Sequence, residues 1–176
     1  MKRGWVLMVV SAGVLMMSAN ARAETATVQI SPTVSGTSAG IEGTATLTDT
    51  PAGLKIDVQV AHAPPGTHGI HIHQYGECGN LGNAAGGHYN PDNVTHGFLP
   101  KDGLTKAHPG DVGNMDVGAD GSGALSQMLP GVTLSGGTYS VAGRALVLHE
   151  KPDDFGQPTG NAGARIGCGP ILVTKE

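Results

Sequence analysis

Between Gly53 and Ala61 the chain alternates with a period of two. Leu54, Ile56, Val58 and Val60 fall on one face, with Lys55, Asp57 and Gln59 on the other. That pattern fits a strand with one packed and one solvated face; a helix would repeat its apolar stripe every three to four residues. Gly43–Asp49 sets Thr44, Thr46 and Thr48 against Ala45 and Leu47, and Thr138–His149 is rich in Val, Leu and Tyr. Thr25–Ile30 and Ala124–Met128 are weaker strand candidates, and Ile171–Thr174 is a short final one. Turn signals separate them at Pro64-Pro65-Gly66, Asp120-Gly121 and Gly136-Gly137. Glycine supplies 29 of 176 residues, and no amphipathic helix longer than two turns is visible. The predicted class is therefore all-β: an antiparallel barrel or sandwich, packed on one face and solvated on the other.

Residues 1–23 read as a removable leader. They start Lys2-Arg3, run apolar from Trp5 to Met17, and end Ala21-Arg22-Ala23. This is the layout of a secretory signal peptide cut after Ala23, and its apolar run falls short of the ~20 residues that span a bilayer. Residues 24–176 then form one domain, a size that hides roughly 68–70% of its unfolded surface. Without Lys2, Arg3 and Arg22 the chain has 7 basic residues against 14 acidic ones, a net charge of −7. That balance argues against a nucleic-acid partner held through phosphates. No later run is long enough to cross a membrane, so no membrane contact is expected after cleavage. Cys78 and Cys168 are the two cysteines, and an even count in an exported chain reads as one disulfide.

Two regions resist the strand reading. Residues 74–115 are full of Gly, Asn, Asp, Pro and His; residues 150–168 pass from Lys151-Pro152-Asp153-Asp154 into a nearly chargeless Gly/Pro/Asn run. Unpatterned loops this long in a compact domain are usually functional and need ordering from elsewhere, as by a disulfide or metal ligation. The histidines supply a candidate. In Gly69-Ile70-His71-Ile72-His73 the two imidazoles share a strand face, roughly 6.6–6.8 Å apart, and can converge on one metal, while Ile70 and Ile72 point into the packing. His88, His96, His108 and Asp111 follow in the first long region, and His149 ends the apolar run Ala145–Leu148. His62 and His68 read as scattered surface residues. Imidazoles with one carboxylate favour copper or zinc over calcium or magnesium. Seven side chains are too many for one tetrahedral site but suffice for two if one ring bridges with both nitrogens; spacing does not say which ring.

These segments resemble the copper/zinc superoxide dismutases. The resemblance is carried by Gly69–Gly76 (GIHIHQYG), Gly87–Pro91 (GHYNP), His96-Gly97, His108–Asn114 (HPGDVGN), Gly143–Asp154 (GRALVLHEKPDD) and Gly160–Gly169 (GNAGARIGCG). With the strand pattern it covers nearly all of residues 25–175. It implies an eight-stranded antiparallel Greek-key barrel or sandwich, immunoglobulin-like in architecture, with two long functional loops. It implies one copper ion per subunit on His71, His73, His88 and His149, and one zinc ion on His88, His96, His108 and Asp111, with His88 as the bridge. Asp153 matches the carboxylate that links His71 to His96 behind the metals. Arg165 matches the arginine that attracts the substrate, and Cys78 with Cys168 matches the family disulfide. The implied reaction turns superoxide anion into dioxygen and hydrogen peroxide by alternating copper reduction and oxidation, with the His88 bridge opening and taking a proton in each cycle.

Some features depart from the animal members of the family. Between Asp154 and Arg165 no residue is charged, so the acidic and lysine residues of their substrate funnel have no match. The segment from Cys78 to His88 is longer than theirs and resembles that of the bacterial enzymes. Family members pair through surfaces bordered by these loops, so a homodimer is compatible with the resemblance but its mode does not transfer. The expected protein is exported: periplasmic where the cell has an outer membrane, secreted otherwise. The main alternative is a non-enzymatic copper/zinc-binding protein of the same fold.

Overall fold

The computed structural model describes residues 23–33 and 40–174. The leader read at residues 1–23 lies outside them except for Ala23. The strands are β1 (Thr25–Pro32), β2 (Glu42–Thr50), β3 (Gly53–Ala61), β4 (Gly66–His73), β5 (Asp111–Val117), β6 (Gly123–Leu129), β7 (Ala145–His149), β8 (Arg165–Pro170) and β9 (Leu172–Val173). Helix among the described residues is limited to a 3-10 turn at Asn83–Ala85 and a single turn, α1, at Leu99–Asp102. The strands pair in the order β2-β3-β6-β5-β4-β7-β8-β1, and β1 pairs again with β2, which closes the barrel. The last strand, β9, continues the line of β8 along β1: Ser31 faces Cys168, and Thr27 faces Leu172. The barrel therefore has eight strands in effect, all paired antiparallel. Its two crossovers, β3 to β4 and β6 to β7, give the Greek-key connection.

The alternation read in β3 is the packing pattern. Leu54, Ile56, Val58 and Val60 are buried with Ala26, Val28, Leu47, Ile70, Ile72, Leu146 and Leu148 in one core. Each such aliphatic side chain contributes roughly 1.5–3 kcal/mol of transfer free energy. Other expectations needed correction. Of Thr138–His149 only Ala145–His149 is a strand, because the preceding residues turn back on themselves: the amide of Arg144 bonds to the Val141 carbonyl. The first long region ends early, where β5 begins at Asp111, and the second contains the start of β8. In β8, Gly167 and Gly169 hide the strand signal. A Cβ on Gly167 would press on Ile30, and one on Gly169 would strike the Gln29 carbonyl, so glycine is what lets β8 lie close to β1.

A second, smaller cluster lies on the outside of the barrel. Ala145 and Val147 of β7 point outward and are buried under Ala85 and the Cys78–Cys168 disulfide. The loop after β4 thus roofs the outer face of β4 and β7, and under that roof the histidines collect.

Candidate metal centre

In β4, Ile70 and Ile72 face the core, so His71 and His73 face outward. His71 lies opposite Val147 and His73 opposite Ala145, which puts both rings on the same outer face as His149 at the end of β7. Two irregularities then bring in residues that strict alternation would point inward. The register slips between Ile70 and His71, so that Ile70 faces Gly113 but His71 faces Asp111. The extra residue, Val112, turns into the core and sends Asp111 outward. A second slip, between Leu148 and His149, leaves Ile166 as the extra residue and aims Arg165 outward. Bulges commonly re-aim side chains in this way beside functional sites.

Two groups result. One potential ligand atom from each of His71, His73, His88 and His149 lies within 4.8 Å of the others; the same holds for His88, His96, His108 and Asp111. His88 belongs to both. In the first group each ring has one nitrogen tied outside the cluster. His71 donates from Nε2 to Asp153 (2.8 Å), His73 from Nδ1 to the Gly86 carbonyl (2.9 Å), and His149 from Nδ1 to Gly163 (3.4 Å). The remaining nitrogens face inward, with His73 Nε2 and His149 Nε2 3.2 Å apart. Such outer contacts set which nitrogen is free to ligate.

In the second group the Asp111 carboxylate is the hub. It lies 3.1 Å from His88 Nδ1, 3.0 Å from His108 Nδ1 and 2.9 Å from His96 Nδ1, and it accepts from the backbone amides of Gly97 and His108. His88 thus turns Nδ1 to this group and leaves Nε2 for the other. Asp153 joins the groups from behind: Oδ2 accepts from His71, and Oδ1 accepts from His96 Nε2 at 2.9 Å. Asn114 fixes that carboxylate by pairing with both backbone groups of Asp153.

Electrostatics separate the groups. Burial and the neighbouring rings lower His73 to about 2, His88 to about 4 and His149 to about 3, so these rings are neutral at pH 7, the form that ligates metal. Burial also acts to lower His96, but hydrogen bonds to Asp111 and Asp153 outweigh it and raise His96 to about 9. Burial acts to raise both carboxyls, yet their histidine partners hold Asp111 and Asp153 well below the usual range. One buried nitrogen, His71 Nδ1, has no hydrogen-bond partner. A buried polar atom without a partner is costly. Here that atom faces the all-imidazole group, which fits copper there, while three imidazoles gathered on the Asp111 carboxylate fit zinc in the other group.

Arg165 borders an opening of about 180 Å³ that it shares with His73, His88, His149 and Gly163. Its guanidinium donates to the carbonyls of Gly82 and Gly86. Those carbonyls belong to the loop that the Cys78–Cys168 disulfide ties to β8. Burial lowers the Arg165 pKa from its ordinary value, but an arginine remains cationic at neutral pH.

The structure brings together all of the expected ligands, with Asp153, Arg165 and the disulfide beside them. His68 differs from its surface reading: it is buried, with Nδ1 at 2.8 Å from the His149 carbonyl and Nε2 at 2.8 Å from the Pro64 carbonyl. It props the end of β7 from below. His62 is exposed, in line with its surface reading, and lies in neither group. The carbonyls of Gly82, Gly86 and Gly163 were invisible in the sequence because any residue has one. The Asn114 clamp had a signal, its place in the HPGDVGN segment.

Comparison with known proteins agrees with this geometry. The profile of the copper/zinc superoxide dismutase (SODC) family matches residues 41–171. An extracellular superoxide dismutase [Cu-Zn] of Caenorhabditis elegans is 42% identical over 130 residues, covering 70% of this chain and 57% of that protein. Thus the match spans little more than half of that relative's length. Among solved structures, the clock protein EA4 superposes with a TM-score of 0.74 at 31% identity, covering 90% of this chain and all of the other. A SOD-like protein from Bacillus subtilis, solved as a double mutant with two introduced histidines, gives 0.71 at 34% identity over 83% of this chain and 96% of its own. With the closed barrel, the paired histidine groups and a profile match over most of its length, this chain belongs to the copper/zinc superoxide dismutase family.

Proposed function

We propose that this chain is a superoxide dismutase, combining two superoxide anions and two protons into one dioxygen and one hydrogen peroxide. The observation that carries the reading is His88, one imidazole shared by two ligand groups and bordering the same opening as a cationic arginine. His71, His73, His88 and His149 would hold copper; His88, His96, His108 and Asp111 would hold zinc. When bound, copper supplies one-electron exchange with superoxide, and zinc supplies a fixed charge without redox chemistry. Arg165 draws the small anion to the opening and orients it beside His88. With Nδ1 committed to the Asp111 side, His88 Nε2 is the atom that would ligate copper and, whenever it is not ligating, carry a proton toward the bound anion. The loop pinned by the Cys78–Cys168 bond holds Arg165 in place through Gly82 and Gly86.

Export is part of the proposal. The disulfide belongs to an oxidising compartment, and the Caenorhabditis elegans relative is named as extracellular. Residues 1–23 would be the signal peptide, and the mature domain would be periplasmic or secreted according to the cell envelope. The test is metal content with superoxide consumption on the mature protein. Rapid consumption by protein holding one copper and one zinc is expected, and His149→Ala should lose copper and turnover while keeping zinc. Protein that holds both metals without consuming superoxide would be a non-enzymatic metal binder.

A further inference from the structure

The three zinc-group histidines are not held alike. His88 forms a β-bridge with His73, and His108 lies one turn before β5, its amide bonded to Asp111. His96 has neither support; it sits in an irregular loop, yet is buried. A buried backbone N–H and C=O outside any ladder still need partners. One side chain supplies both: Gln157 Oε1 accepts from the His96 amide at 3.0 Å, and Gln157 Nε2 donates to the His96 carbonyl at 2.8 Å. The amide thereby imitates one rung of a β-ladder.

Neighbours of Gln157 hold the ring itself. Asp153 accepts from its Nε2 edge. Phe155 lies nearly parallel to it, centroids 6.5 Å apart and planes 18° apart, backed by Phe98 at 5.7 Å. The Phe155 amide also donates to Asp153 Oδ1 at 2.8 Å. Three residues of one short segment, Asp153, Phe155 and Gln157, therefore hold one histidine by its edge, face and backbone. Gly160 leaves the room this needs, since a Cβ there would overlap the Asp153 carboxylate and stand 2.7 Å from His96 Nε2.

We propose that Gln157 is a positioning residue for zinc, holding His96 in ligating orientation through its backbone without touching the metal. The inference rests on the zinc assignment above. Two hydrogen bonds to a loop that carries a ligand act as an outer support of the metal, and loss of such a support typically costs 10–100-fold in affinity. Gln157 is exposed, so the lower end applies.

The experiment follows zinc release from copper- and zinc-loaded protein into excess chromogenic chelator. Gln157→Met keeps the length of the side chain and removes both hydrogen bonds; release should accelerate about tenfold, with copper retained. Gln157→Glu keeps the acceptor but not the donor and should also release zinc faster than the parent. Ile56→Val, a core substitution in β3, controls for general loss of stability and should release zinc like the parent. Unchanged release in both Gln157 variants overturns the proposal. So does equal acceleration in Ile56→Val, or failure of both Gln157 variants to fold, since either would make Gln157 a general stabiliser. A parent that takes up no zinc defeats the zinc assignment itself, a separate result from zinc held and released at an unchanged rate.

Discussion

Replacing Asp153 by Asn tests how the two ligand groups are joined. The carboxylate accepts from His71 at Oδ2 (2.8 Å), from Phe155 at Oδ1 (2.8 Å), and from His96 at both oxygens (2.9 and 3.0 Å). Asn114 anchors the backbone of residue 153, so an isosteric amide would sit in the same place. Asn offers one acceptor and one NH2 group. With its oxygen toward His71, the NH2 confronts the N–H groups of His96 and Phe155. With its oxygen toward Phe155, the NH2 confronts those of His71 and His96. In either orientation His96 keeps one of its two acceptors and meets a donor in place of the other, whereas His71 is undisturbed when the oxygen faces it. His96 can escape by moving its proton to Nδ1, which removes that nitrogen from ligation. Zinc affinity should therefore fall about 10–100-fold, equivalent to about 1.4–2.8 kcal/mol, and copper affinity should fall less. That range agrees with about 1.5–3 kcal/mol for one hydrogen bond to a charged group. Competitive titration of each metal against a chelator reads both affinities. Unchanged zinc affinity, or a larger loss at copper, would refute the reasoning.

Protonation should distinguish the two sites. His96, raised to about 9, carries a proton at pH 7 in the metal-free protein, so zinc uptake should release it and zinc affinity should climb until about pH 9. Copper uptake should release no proton from neutral His73 and His149, only the one N–H that His88 must lose to ligate through both nitrogens; calorimetry in buffers of different ionisation enthalpy measures both releases. The same shifts set the stability of the metal-free fold. The His96 contribution is fully present below the unfolded value of about 6.5 and lost as pH rises through 9. His73, His88 and His149 act oppositely: the unfolded chain binds their protons first, so stability falls as pH drops from 6.5 toward 4. Denaturant midpoints should accordingly decline over pH 6.5 to 4. Arg165→Ala should retain both metals but slow superoxide consumption about tenfold or more at low ionic strength, the lower end of electrostatic steering; an unchanged rate removes the guanidinium from that role. Joint replacement of Cys78 and Cys168 by Ser opens a link of sequence separation 90. This should cost up to about 4–5 kcal/mol in chemical denaturation, and an unchanged midpoint would show that the link adds no stability.

The parts of the fold legible in the sequence were those where one side chain in two is apolar. In β3 the alternation of Leu54, Ile56, Val58 and Val60 is the packing itself. The strands β5 and β8 hid because each contains a slip. Val112 and Ile166 break the alternation that would reveal them, and Gly113, Gly167 and Gly169 stand where apolar side chains would signal a strand. Those slips aim Asp111 and Arg165 at the site, so function and poor legibility share a cause. The ligands were readable because histidine and aspartate announce their chemistry by type, and the resemblance supplied their grouping. What steers them was not readable: backbone carbonyls at Gly82, Gly86 and Gly163, and the Gln157 amide, carry no distinctive residue type. His68 was misread for the same reason, since both of its partners are carbonyl oxygens.

Anomalous diffraction collected at the copper and zinc absorption edges, from crystals of the protein loaded with both ions, locates each metal separately. Copper is expected among His71, His73 and His149, zinc among His96, His108 and Asp111, and the His88 ring between the two peaks. Both ions within one group, or a His88 ring lying off the line between them, would contradict the shared imidazole on which the proposed chemistry depends.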